Sequence, residues 1–303
     1  MIPFRAAATA SLFLALLAGC TQPPPDTGPK YGTSAAPATT PVYHFAVHPL
    51  YNPTKLSQVY QPLLDYLNTR LKGVQLTLEA SRDYANFEEK YQERKPEFLL
   101  PNPWQTLQAM KVGYGVIAMA GDPKDFKGIF LVRKDSDTRL PSDLIGKAVS
   151  YPAPTALAAC IMPQYFLHTR GIDVNREIEN RYVGSQKSSI MNVYMKNTAA
   201  RATWPPPWRA FQKDNPEKAA ALTVVWETEP LVNNSVMVRD DIPTGIREQV
   251  RELLRGLPDT EEGRAILAGM ETARFIPAVD RDYDVVRAYV ERFEKEVRSV
   301  EAR

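Results

Sequence analysis

The sequence predicts an α/β protein of two lobes, each a mainly parallel sheet flanked by helices. Three observations predict it. About 260 residues follow a Pro-rich stretch, long for one simple domain and natural for two lobes. Apolar residues make up 44% of the chain, enough for a sizeable core. Short apolar runs alternate with segments of helical periodicity, the rhythm of a parallel sheet covered by helices.

The N-terminus reads as an export signal. Arg5 supplies positive charge, Ala6 to Ala18 is apolar and too short to span a bilayer, and the run closes on Leu17-Ala18-Gly19-Cys20. This order resembles a bacterial lipobox and implies removal of residues 1–20 up to a lipidated Cys20. Residues 21–41, rich in Pro, Thr, Ala and Gly, cannot bury enough apolar surface to fold and read as a tether. The expected location is outside the cytoplasm, lipid-anchored and facing the periplasm or cell exterior.

In the first lobe, Val42–Val47 reads as a buried strand, Leu56–Leu71 as a helix, Val74–Leu78 as a strand and Tyr84–Gln92 as a helix. Glu97–Leu100 is a strand ending in PNPW, Thr106–Lys111 a helix and Gly115–Ala120 a strand. The second lobe opens with strand Phe126–Arg133 and continues through strand Ala148–Tyr151, helix Ala156–Thr169, strand Arg181–Val183, a helix to Lys196 and strand Ala200–Thr203. After strand Leu222–Trp226 the chain returns through Val236–Arg239 to three helices, the last amphipathic. The expected division is 42–132 with 234–303 for the first lobe and 133–233 for the second, hinged near Val132-Arg133 and Pro230 to Asn234.

Several chemistries are disfavoured. A formal charge of +2 without a Lys/Arg cluster gives no nucleic-acid signal. Two cysteines, one assigned to lipid, leave Cys160 unpaired, and it reads as a buried, inert thiol. His44, His48 and His168 form no metal motif, so neither metal nor cofactor is expected. Cys160 and His168 lie eight positions apart on one helix, roughly 12 Å along its axis and out of hydrogen-bond reach. No other nucleophile motif or phosphate loop is present, and an enzyme is not expected.

The order of segments resembles the periplasmic substrate-binding proteins of phosphate, phosphite and phosphonate ABC transporters, which have the two-lobed type II binding-protein fold. Tyr51-Asn52-Pro53, GIFLVRKDSDTRLPSDLIGKAVSYP (residues 128–152) and Val236 to Pro243 carry the resemblance. It implies two crossing strands at the hinge, a small oxyanion or phosphonate-like ligand with room for an apolar part, and an ABC permease as partner of a monomer. A membrane sensor kinase is the alternative partner, and a structural lipoprotein without a ligand the remaining alternative. The sequence departs from the family at the ligand loops: Ala153-Pro154-Thr155-Ala156 keeps one hydroxyl, Gln186 stands at a family histidine, and Ala199 or Ala200 at a family aspartate.

In such folds ligands sit beyond the carboxyl ends of the strands. The loops there nominate Tyr51 for a ring and hydroxyl, Asn102 and Trp104 for an amide and an aromatic wall, and Thr155 and Ala156 at a helix start. Ser185, Gln186 and Ser188 form a second polar helix start, and Thr203 and Trp204 open the stretch TWPPPWRAF. The three prolines favour an extended, pre-ordered wall. Capping is the competing role for Asn102, Thr155 and the serines.

Overall fold

The computed structural model describes residues 40–300, so the export signal, Cys20 and most of the tether lie outside the described residues. The strands and helices, each numbered in chain order, are β1 (Val42–Val47), α1 (Pro53–Asn68), β2 (Gln75–Glu79), α2 (Tyr84–Gln92), β3 (Phe98–Leu100), α3 (Pro103–Lys111) and β4 (Tyr114–Ala120). Next come β5 (Ile129–Arg133), β6 (Ala148–Tyr151), α4 (Met162–His168), β7 (Glu179–Tyr182), α5 (Gln186–Tyr194) and β8 (Ala200–Thr203). The chain continues through α6 (Pro205–Asp214), α7 (Pro216–Ala220), β9 (Leu222–Glu227), β10 (Ser235–Arg239), α8 (Thr244–Arg255), α9 (Glu261–Gly269), β11 (Phe275–Ile276) and α10 (Asp284–Glu296).

Two sheets define two lobes. The first has the order β11-β4-β10-β3-β1-β2 and the second β7-β6-β8-β5-β9. Pairs β1–β2, β1–β3, β6–β7 and β6–β8 are parallel, whereas β10 and β5 run antiparallel to both of their neighbours. The antiparallel strands arise from the crossovers: β5 is the first strand to enter the second sheet and β10 the first to return. Ile129 pairs with Thr203 and Glu227, so the first crossing precedes Ile129, ahead of the expected boundary after Val132. The return crossing lies between Glu227 and Ser235.

Local chemistry explains the helix starts. The Asn52 side chain accepts from the Lys55 N–H, and Pro53 occupies a first-turn position whose N–H would have no helical partner. Helix α1 buries Leu56, Val59, Tyr60, Leu63, Leu64 and Leu67 against the first sheet, the i, i+3, i+4 pattern of an amphipathic helix. Both faces of β5 are covered: Ile129 and Leu131 join Ile190, Val193, Trp208 and Phe211 in one cluster, and Phe130 and Val132 belong to the main core.

Two local readings change. The prolines of TWPPPWRAF are the first turn of α6, not an extended wall. A proline ring fixes φ near helical values and its missing N–H costs nothing in a first turn. The helix expected from Ala156 begins instead as a π-helical turn, Leu157–Ile161, before α4. Gly128 runs beneath this turn, where an added Cβ would lie 2.7 Å from the Ala158 carbonyl oxygen.

Candidate functional site

The lobes meet where the carboxyl ends of β1, β3 and β6 face one another. A small cavity of ≈ 10 Å³ there is lined by His48, Tyr84, Asn102, Asn234, Gln186 and Trp204, with Phe126 and the Ala156–Ala159 turn. Larger openings flank it. One of ≈ 420 Å³ is lined by Tyr51, Lys55, Gln186 and Asp214 among others, and one of ≈ 650 Å³ by Glu88, Trp104, Thr155 and Tyr182 among others.

Asn102 does two things at once. Its side-chain oxygen accepts from the Trp104 and Gln105 N–H groups, and the Gln105 side chain returns to the Asn102 N–H, a reciprocal cap of α3. Its amide nitrogen, left free by the cap, donates across the cleft to the Thr155 carbonyl at 3.2 Å. Thr155 in turn donates its hydroxyl to Glu88 at 2.6 Å, and Glu88 accepts from Gln105 at 3.0 Å. Capping and interlobe contact are therefore one network.

Gln186 is the hub on the second lobe. Its side-chain oxygen accepts from the Thr203 hydroxyl and from Arg201, both at 2.8 Å, and its side chain also reaches the Tyr84 hydroxyl of the first lobe. Thr203 thus stands behind Gln186. Ser185 caps α5 by accepting from the Ser188 N–H at 3.2 Å, and its hydroxyl donates to that of Ser188 at 2.9 Å. Neither serine lines the central cavity or its two flanking openings.

The two tryptophans of the proline stretch divide their labour. Trp204 lines the central cavity and lies 5.4 Å from the Phe126 ring, whereas Trp208 packs on Phe211 at 5.9 Å in the core of the second lobe. Tyr51, half-buried, faces the side opening, and burial followed by the nearby Glu271 carboxylate pushes its phenol up. Ion pairs close this side: Lys55 with Asp214 at 3.1 Å, Arg209 with Asp125 and Glu271 at 2.9 Å each, and Lys213 with Glu271.

The sequence reading missed His48, Tyr84, Phe126 and Asn234. The His48 Nδ1 lies 2.8 Å from the Leu100 carbonyl oxygen, which can only accept, so Nδ1 carries the proton and Nε2 is left as an acceptor. Burial lowers the His48 pKa to about 4, the Leu100 bond opposing, and the ring is neutral at pH 7. The Asn234 side-chain oxygen is buried without a hydrogen-bond partner among the described residues. A signal existed for His48, which follows β1 in the same loop as Tyr51, but Asn234 sits at a strand start that nothing in the sequence marks.

Comparison with known proteins agrees with this fold. The profile of a family described as "ABC transporter, phosphonate, periplasmic substrate-binding protein" matches residues 45–283. A probable ABC transporter phosphite binding protein, PhnD1, of Prochlorococcus marinus (strain MIT 9301) is 22% identical over 182 residues. That match covers 55% of this chain and 61% of the relative, so less than two thirds of the relative's length is spanned. The binding protein component of an ABC phosphonate transporter from Pseudomonas aeruginosa superposes with a TM-score of 0.79 at 15% identity, covering 85% of this chain and 88% of that one. Prochlorococcus marinus PhnD1 in complex with methylphosphonate superposes with a TM-score of 0.76 at 19% identity, covering 85% of this chain and 100% of that one. At these identities the superpositions establish the fold.

Proposed function

The chain belongs to the family of periplasmic substrate-binding proteins of phosphonate ABC transporters, a non-enzymatic family, and on that premise we propose that it captures a small phosphorus oxyanion between its lobes and delivers it to an ABC permease. In this reading Cys20 carries the lipid that keeps the protein at the membrane. The observation that carries the reading is that the family match, residues 45–283, takes in both sheets and the cleft where Asn102, Gln186, Tyr84 and Trp204 converge.

The cleft chemistry refines the ligand. Gln186 and Asn102 offer amide donors, while Phe126, Trp204 and the Ala156–Ala159 turn make much of the wall apolar. A phosphonate bearing an alkyl or aryl group suits this combination better than bare phosphate. A cavity of ≈ 10 Å³ has room for about one water, so the described form is shut, and a ligand enters when the lobes part about the two crossings. Binding then selects a closed arrangement that is wider at the cleft than the one described, by as much as its affinity for the open and closed forms differs.

The test is a titration of the purified protein with methylphosphonate, phosphite, phosphate and an alkanesulfonate. Expected are a rise in melting temperature and a change in tryptophan emission with the first two. No response to any phosphorus oxyanion overturns the reading.

A further inference from the structure

Strand β8 lies at the centre of the second sheet, where small or apolar residues belong, yet it carries Arg201, whose side chain is wholly buried. The guanidinium is held by neutral acceptors. Nε donates to the Ala202 carbonyl at 2.9 Å, Nη1 to the Gln186 backbone carbonyl at 3.2 Å, and Nη2 to the Gln186 side-chain oxygen at 2.8 Å and the Ala202 carbonyl at 2.5 Å. Among the described residues no carboxylate pairs with it. Burial disfavours its charge, but a guanidinium stays protonated in proteins. A buried cation without a counter-charge is costly, and nothing in the packing of β8 calls for one.

Its position relative to the cleft supplies a reason. Arg201 and Thr203 project from the same face of β8, and both donate to the Gln186 side-chain oxygen at 2.8 Å. The two lone pairs of that oxygen are then filled. The NH₂ end of the amide is turned away from Arg201, toward the cavities that Gln186 lines and the Tyr84 hydroxyl. We propose that Arg201 is a positioning residue of the ligand site: it fixes Gln186 with its amide hydrogens facing the cleft and supplies the buried positive charge that a bound oxyanion completes. The inference rests on the preceding reading that the ligand is an oxyanion.

Three single variants of the protein, Arg201→Met, Arg201→Lys and Gln186→Glu, test it, with methylphosphonate and phosphite as probes in calorimetry and thermal unfolding. Arg201→Met replaces a buried charge that has no counter-charge by an apolar chain of similar length, a gain set against the Ala202 and Gln186 acceptors left without that donor. The two effects oppose, so it is expected to melt close to the wild-type temperature while losing about 100-fold in affinity. Arg201→Lys keeps the charge but not the planar fork and is expected to lose less. Gln186→Glu satisfies Arg201 internally and turns a carboxylate to the cleft; it should melt higher and lose probe binding by about 100-fold or more. A merely structural arginine predicts the reverse for Arg201→Met, a lower melting temperature with affinity retained in whatever folds.

If the wild type binds a probe and Arg201→Met or Gln186→Glu binds it within twofold of wild type, the assignment of Arg201 falls and the oxyanion reading stands. If Arg201→Met fails to fold, Gln186→Glu decides by the same criterion. If the wild type binds neither probe, the oxyanion reading falls, and the role of Arg201 with it.

Discussion

The Thr155 hydroxyl of the second lobe donates to the Glu88 carboxylate of the first at 2.6 Å. A hydrogen bond to a charged group contributes about 1.5–3 kcal/mol, and this one exists only when the lobes are together. Thr155→Val keeps the shape and removes the donor. It should shift the ligand-free protein toward the open form and weaken ligand binding about tenfold. Small-angle scattering and calorimetry check this; unchanged scattering together with unchanged affinity would show that the bond does not latch closure.

Trp204 combines a structural load with a wall of the cavity. It is 6% exposed and packs on Phe126, so Trp204→Ala should cost about 3–5 kcal/mol in denaturant unfolding. The space released adjoins the central cavity, where the proposed ligand would sit. Phosphonates with bulkier organic groups should gain on methylphosphonate in the variant, a reversal that a simple loss of stability does not produce. Equal losses for all phosphonates would place Trp204 away from the ligand.

Stability should fall on acidification because of His48. Its folded pKa is lowered to about 4 from 6.5. Above pH 6.5 both folded and unfolded states hold it neutral. Between 6.5 and 4 the unfolded chain takes up a proton that the folded state refuses, so stability drops as pH falls through this window. The full drop is about 3 kcal/mol. Urea titrations across pH 4 to 7 measure it, and His48→Gln should flatten the slope. An equal slope in the variant would assign the acid sensitivity to another group.

Cys160 should be inert while the protein is folded. The side chain is wholly buried and the thiol is pushed up to about 12 by burial, with Arg298, 3.6 Å from the sulfur, pulling the other way. The thiolate is the reactive form, so a maleimide at pH 8 should label Cys160 only after unfolding. Arg298 also donates to the Gln164 side chain at 2.9 Å and the Pro154 carbonyl at 3.2 Å. Arg298→Ala loosens this cover and should speed labelling; rapid labelling of the wild type would contradict the buried assignment.

Much of the fold could be read because periodicity and turn chemistry spoke with one voice. The apolar stripe of α1 and the alternation of short apolar runs needed only local rules. The prolines of 205–207 were misread because the same fixed φ suits an extended segment and a helical first turn; the clue lay just beyond them in Trp208 and Phe211, one turn apart and facing a core. The lining of the cleft cavities was legible where a loop announced itself, as at Asn102, Thr155, Gln186 and Trp204. It was illegible where tertiary pairing made the choice. Arg201 looks like an interruption of a weak strand until the register with Leu131 and Ser150 places it inside a sheet. Asn234 becomes notable only when its oxygen is found without a partner among the described residues.

The chain does not stop within the first lobe after α10. Asn175 of the second lobe donates to the Val297 carbonyl at 2.8 Å, and Arg298 reaches Gln164 and Pro154 beyond it. With the passages before Ile129 and after Glu227, this makes three stretches of chain, among the described residues, that bridge the halves. Two ribbons alone would permit swivelling as well as bending; a third, anchored to one side, resists torsion. The molecule should gape like a book held along its spine, and the segment 297–300 is where that spine is fastened.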